Sequence, residues 1–196
     1  VYVAKNNVFL GTIVINDRIK ESARESLASL KNIGIQKNIM LTGDTKEVAD
    51  IVAREVGLDY AYSELLPQDK VDKLEEILAE KNTIAYVGDG INDAPVLARA
   101  DIGIAMGGIG SDAAIEAADV VIMDDNLDNI VRGIKVAKRT MSIAKQNIVF
   151  AIGVKAIFLL LAAIGFGTMW EAVFADVGVT VLCIINAMRN LRTENI

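Results

Sequence analysis

The sequence predicts an α/β domain built on a parallel sheet, followed by a hairpin of two helices long enough to cross a membrane. Two observations carry this. Between residues 36 and 123, short β-branched runs alternate with stretches of helical periodicity, the pattern of parallel strands joined by crossover helices. The composition then changes near Ser142. Of the 196 residues 53% are hydrophobic, and the mean hydropathy of +0.38 is high for a purely soluble protein. Residues 1–142 hold 16 Lys+Arg and 23 Asp+Glu, net −7, whereas residues 143–196 hold only 4 and 3, net +1. An acidic soluble part precedes an apolar tail.

Taken in order, residues 1–17 (VYVAKNNVFLGTIVIND) read as two β-rich runs joined by a turn at Asn6-Asn7. The period then becomes helical, with Ile19, Ala23, Leu27 and Leu30 on one face and Gly34 as the stop. A strand is expected over Gln36–Leu41, a helix over Lys46–Val56 closed by Gly57, and a helix opening at Pro67 and running to about Glu80. A strand at Thr83–Val87, a short helix after Asn92, a strand at Ile102–Ala105, a short helix around Ala113–Ala117 and a strand at Val120–Met123 complete the alternation. In such sheets ligands bind at the carboxyl ends of the strands. From Asn126 a helix rich in Lys135, Lys138, Arg139 and Lys145 leads into two apolar stretches, 146–167 and 169–188, separated by GFGT. Each has about the 20 residues that a spanning helix needs. Basic residues before the first span, and Arg189 and Arg192 after the second, put both ends on the cytoplasmic side. Two buried helices of a soluble core are the alternative.

Composition narrows the chemistry. An acidic balance without basic clusters argues against nucleic acid, whose phosphates demand a positive footprint. The single Cys183 has no partner in the chain for a disulfide, and the absence of His removes the commonest general base and zinc ligand. Catalysis has to rest on carboxylates, Lys, hydroxyls and backbone amides. The chain starts at Val1 in strand-like sequence, and is expected to be a piece of something longer.

Three motifs stand at successive strand ends. In MLTGDT (40–45) the Thr42 hydroxyl and the N–H groups after Gly43 suit a phosphoryl oxygen, although the same residues make an ordinary strand-to-helix turn capped by Asp44 or Thr45. In PQDK (67–70) Lys70 sits in the first turn of a helix, where a lysine is usually a solvated charge. In GDGINDAP (88–95) two carboxylates, Asp89 and Asp93, are four residues apart in a glycine-bracketed turn, a hard-oxygen arrangement suited to octahedral Mg²⁺.

With LTGD, a lysine and GDGINDAP in this order, the sequence resembles the phosphorylation domain of P-type ATPases, a branch of the haloacid-dehalogenase-like (Rossmannoid) fold. The resemblance covers essentially the whole chain. It implies that Asp89 binds Mg²⁺, that Asp93 and Asn92 complete the metal and phosphate shell, that Thr42 and Gly43 hold the phosphoryl group, and that Lys70 neutralises its charge. Asp44 would help place ATP or the attacking water, and Asp17 matches the hinge to the nucleotide domain. By the same resemblance, residues 1–16 end a nucleotide-binding domain, 17–125 form the phosphorylation domain, 126–145 a cytoplasmic stalk helix, 146–188 two transmembrane helices and 189–196 a cytoplasmic tail. The chain departs from the family in one respect: it holds no Asp-Lys-Thr-Gly-Thr string, so the aspartate nucleophile is expected upstream of Val1, together with the actuator, nucleotide-binding and earlier membrane segments.

Two charges interrupt the hairpin. Lys155 and Asp176 lie 11 and 10 residues from the turn near Phe166, which at about 1.5 Å per residue sets both roughly 15 Å deep in a core of about 30 Å. They should meet there, and ionisable groups at that depth are costly and usually functional; a pair that only fixes helix register is the alternative. Asn147 with Lys155 eight residues on, and Asp176-Val177-Gly178 with Asn186, are similar to the zinc-, cadmium- and lead-exporting branch of heavy-metal P-type ATPases. There the aspartate is a transport-site ligand for a divalent cation and the lysine its built-in counter-charge. Cys183 is expected to be a packing residue.

The expectation is therefore part of an ATP-driven, Mg²⁺-dependent exporter of Zn²⁺, Cd²⁺ or Pb²⁺ in a bacterial plasma membrane. Two alternatives belong to other classes. One is a catalytically silent, membrane-tethered remnant or regulatory partner; the other is a free-standing phosphatase, for which Asp17 is the only Asp before Thr42 and lacks the expected context.

Overall fold

The computed structural model describes residues 2–6, 8–12, 18–88, 91–107, 112–124, 126–165, 170 and 173–191. Asp17, Asp89 and Arg192 lie outside the described residues. The chain forms two compact units, Val1–Leu127 and Asp128–Ile196.

In the first unit a hairpin of β1 (Tyr2–Lys5) and β2 (Val8–Thr12) precedes helix α1 (Ala23–Asn32). Then β3 (Ile39–Leu41), α2 (Lys46–Val56), β4 (Tyr60–Tyr62), α3 (Pro67–Ala79), β5 (Ala85–Gly88), α4 (Ala94–Arg99), β6 (Ile102–Met106), α5 (Asp112–Ala117) and β7 (Val120–Ile122) alternate as the sequence predicts. Helix α2 closes at Gly57, whose φ of 78° is the left-handed conformation that glycine adopts at no steric cost. Helix α3 starts at Pro67, and the Asp69 carboxylate accepts the Leu66 N–H at 2.9 Å, satisfying one donor that the first turn leaves free.

The strands run parallel in two ladders, β3 with β4 and β5-β6-β7. Strand β4 is an element that the sequence reading passed over. Three residues are too short for a period to show, and the aromatic pair in Tyr-Ala-Tyr was its only signal. Among the described residues no ladder joins β3 to β5, so each uses a single edge. Asp59 ties β4 back to α1, accepting from Lys31 Nζ and from the Asn38 N–H, both at 2.7 Å. These bonds hold its carboxyl below the ordinary aspartate value, the Lys31 bond most and the Asn38 amide next.

The core beneath β5-β6-β7 is made of Leu97, Ala105 and Ala114, with Tyr86, Ala117, Ala118 and Val121 packed on it. Leu97 and Val96 of α4 are fully buried. Small residues on β6 and α5 let α4 approach closely; the Leu97 carbonyl lies 2.6 Å from where a Cβ on Gly103 would stand.

In the second unit α6 (Asp128–Ala163) is one helix of 36 residues, about 54 Å long. The return helix holds a π-helical turn (Phe174–Gly178), α7 (Val179–Ala187) and a final 3₁₀ turn (Met188–Leu191). Two helices, Asp128–Ala163 and Phe174–Leu191, are long and apolar enough to cross a membrane. They are cross-linked by side chains. Asn147 donates from Nδ2 to the Cys183 carbonyl at 3.0 Å, Asn186 donates to Asn147 Oδ1 at 2.9 Å, and Asn190 donates to the Thr140 hydroxyl at 2.5 Å. Side-chain amides that hydrogen-bond across helices in this way add to the packing of a helical hairpin.

Candidate functional site

The predicted phosphate residues stand at the carboxyl ends of β3 and β5 and at the start of α3. Thr42 follows β3 and is half-buried, while Gly43 and Asp44 are exposed. The Thr42 hydroxyl donates to Asp44 Oδ2 at 2.7 Å and accepts from the Asp44 N–H at 3.1 Å, so the loop is closed on itself. It is braced from behind: Leu65 N donates to the Thr42 carbonyl at 3.0 Å and Glu64 N to the Asp44 carbonyl at 2.8 Å. Thr45 is the residue at the N-cap position of α2, in extended conformation, and its side chain makes no capping bond. The 62–65 segment that braces this loop leads directly into α3, which is how the fold brings Lys70 to the same end of the unit.

Lys70 is engaged rather than solvated. Its Nζ donates to Asp93 Oδ1 at 2.9 Å, with the two side chains only 17% and 13% exposed. Partly desolvated, this pair interacts more strongly than a surface ion pair. Asp93 ends the 3₁₀ turn Ile91–Asp93 and begins α4; Asn92, within that turn, is exposed. The Tyr86 hydroxyl of β5 also donates to Asp93 Oδ1, at 3.0 Å. Sequence reasoning missed Tyr86; the available signal was a tyrosine on the strand that leads into GDGIND. Gly88 explains how Asp93 comes so near the strand, since a Cβ there would lie 2.8 Å from Asp93 Cβ.

Thus Lys70 and Asp93, 23 residues apart in sequence, are brought into contact, and Thr42 is joined to Asp44. Among the described residues no hydrogen bond links these two pairs. The donor chemistry suits Mg²⁺ in kind: Asp93 presents a hard oxygen, Oδ2, which accepts no hydrogen bond among the described residues, although among those residues no three carboxylates or other acidic ligands are gathered round it.

The second constellation lies in the apolar hairpin. Lys155 Nζ and Asp176 Oδ1 are 3.0 Å apart. Asp176 sits in the π-helical turn, a widened turn that often marks functional positions. The Thr180 hydroxyl donates to its carbonyl at 2.7 Å. Phe174 packs edge-on against Phe158, with centroids 6.5 Å apart, and its ring occupies the space that a Cβ on Gly178 would need, 2.7 Å from Cδ2. Cys183 contacts the Asn147 carbonyl at 3.8 Å through Sγ and so belongs to the helix contact.

Comparison with known proteins gives the family to which the chain belongs. The haloacid dehalogenase-like hydrolase family matches residues 2–101. A cadmium, zinc and cobalt-transporting ATPase of Bacillus subtilis is 54% identical over all of the chain and 28% of its own length, and a zinc-transporting ATPase of Synechocystis is 54% identical over 96% of the chain and 26% of its own length. Among solved structures, a zinc-transporting PIB-type ATPase in its E2.Pi state superposes with a TM-score of 0.87 at 41% identity, over 97% of the chain and 31% of that protein. The chain thus spans between a quarter and a third of the length of these relatives. It belongs to the haloacid dehalogenase-like hydrolase family and is related, over its whole length, to the metal-transporting P-type ATPases.

Proposed function

We propose that the chain is the carboxy-terminal part of an ATP-driven exporter of divalent heavy-metal cations, Zn²⁺, Cd²⁺ or Pb²⁺, working through an aspartyl-phosphate whose nucleophile lies outside this sequence. Residues 17–125 would serve as the phosphorylation unit, 126–145 as a stalk and 146–188 as two spans, with both ends cytoplasmic. The full-length relatives are named as cadmium, zinc and cobalt or zinc transporters, which supports the cargo class.

The observation that carries this reading is the pairing of Lys155 with Asp176 at 3.0 Å between two helices of membrane-spanning character. A carboxylate there is a ligand for a divalent cation, and the ammonium is its replacement once the cation has left, so the site never holds a bare charge in lipid. In the first unit, Asp89, Asp93 and Asn92 would hold Mg²⁺, which would supply neutralisation of phosphoryl charge. Thr42 and the amides after Gly43 would hold phosphoryl oxygens, Asp44 would help place ATP or water, and Lys70 would turn from Asp93 toward the phosphoryl group. Phosphoryl transfer is mostly positioning and charge stabilisation, and these residues offer both. Among the described residues β3 and β5 are each paired on one side only, which would leave a strand from the rest of the protein, carrying the nucleophile, a place to pair.

The test is Asp176→Ala in the full-length protein. Metal-stimulated ATP hydrolysis should be abolished while the protein still inserts and binds nucleotide. Undiminished stimulation by Zn²⁺ or Cd²⁺ would remove Asp176 from the transport site.

A further inference from the structure

The geometry points to Tyr86 as the positioning residue that sets the plane of the Asp93 carboxylate for Mg²⁺. The inference rests on the assignment of Asp93 to the Mg²⁺ shell.

Asp93 Oδ1 receives two donors, Lys70 Nζ at 2.9 Å and the Tyr86 hydroxyl at 3.0 Å. They differ in stiffness. The lysine reaches Asp93 through a flexible four-carbon stem, and it is the group that must leave when a phosphoryl group needs its charge. The tyrosine is a rigid ring with two torsions, packed against the Leu97, Ala105 and Ala114 cluster and facing Gly103 across the β5–β6 ladder. A carboxylate turns easily about its last torsion, so one mobile donor leaves its plane undetermined. The phenol fixes it.

With Oδ1 occupied, Oδ2 is the oxygen left for a cation. The absent side chain of Gly88 keeps its surroundings open, since a Cβ there would stand 3.1 Å from Oδ2 and 3.2 Å from Tyr86 Cε1. Tyr86, Gly88 and Asp93 thus form one fitted unit. Tyr86 matters most when Lys70 has swung away, because among the described residues it is then the remaining donor to Asp93.

The experiment uses the full-length ATPase with Tyr86→Phe, which keeps the ring and removes only the hydroxyl. Equilibrium Mg²⁺ binding is measured calorimetrically, in the presence and absence of beryllium fluoride as a phosphoryl mimic. The expected result is a five- to tenfold weaker Mg²⁺ affinity with the mimic bound, about the worth of part of one charge-assisted hydrogen bond, a smaller change without it, and unaltered affinity for metal-free ATP. Asp93→Asn is measured alongside. If Asp93→Asn weakens Mg²⁺ binding and Tyr86→Phe does not, the role of Tyr86 is refuted and the Mg²⁺ site stands. If neither changes it, the assignment of Asp93 fails and the inference with it.

Discussion

Gly88→Ala tests the phosphate site with a single carbon. The new Cβ would stand 2.8 Å from Asp93 Cβ, where ordinary van der Waals contact begins at 3.4 Å, so the two backbones must part by about 0.6 Å. Neither partner is the tip of a flexible chain: one is a strand backbone atom's substituent and the other is the first carbon of Asp93 at the head of α4. Asp93 therefore moves as a whole, and its bonds to Lys70 at 2.9 Å and Tyr86 at 3.0 Å are stretched past good geometry. A misplacement of about 1 Å in a catalytic group can cost on the order of 100-fold in rate. The expected loss is thus roughly ten- to 100-fold in phosphoenzyme formation from ATP, with a raised Mg²⁺ requirement and unchanged membrane insertion. The assay is incorporation of labelled γ-phosphate by the full-length protein across a Mg²⁺ series. Wild-type phosphoenzyme at wild-type Mg²⁺ would show that the close packing of Gly88 on Asp93 has no part in the chemistry.

Three further outcomes are expected. Gly178→Ala should push the Phe174 ring off Phe158, disturb the π-helical turn and lower metal-stimulated ATPase activity severalfold, with partial recovery in Gly178→Ala/Phe174→Leu; failure of the second substitution to recover any activity would disprove the steric explanation. Leu97→Ala should cost about 3–5 kcal/mol in urea unfolding followed by circular dichroism, the upper part of the usual range, because its neighbours Ala105 and Ala114 are too small to fill the space; a cost under about 1 kcal/mol contradicts this account of the core. Asp59 has a depressed folded-state pKa, so its contribution is present above the unfolded value and is lost as pH falls below about 4. The difference in melting temperature between the wild type and Asp59→Asn should shrink from pH 5 to pH 3, and a constant difference would refute the linkage.

What was legible in the sequence was whatever is written in local period and motif. Helix α2 from Lys46 to Val56 with its Gly57 stop, the start of α3 at Pro67, the two long apolar helices and the pairing of Lys155 with Asp176 all follow from spacing along one chain. Strand ends were less sharp: Gln36–Leu41 shortens to Ile39–Leu41, because ladder pairing with β4 begins only at Ile39 opposite Tyr60. The division of the parallel strands into two ladders had no local signal, since which edges pair depends on segments far apart.

The sequence by itself determined the chemical inventory: hydroxyl, lysine and paired carboxylates at strand ends, and one lysine and one aspartate at matching distances from the turn of an apolar hairpin. Only the tertiary structure decided which of these groups meet. It took Lys70 from the solvent and set it on Asp93, added the Tyr86 hydroxyl to the same oxygen, and paired Asp176, within a π-helical turn, with Lys155. The physical reason is that hydrogen bonds and ion pairs act over about 3 Å, whereas a motif specifies residue types and leaves their distances to the packing of elements that lie tens of residues apart.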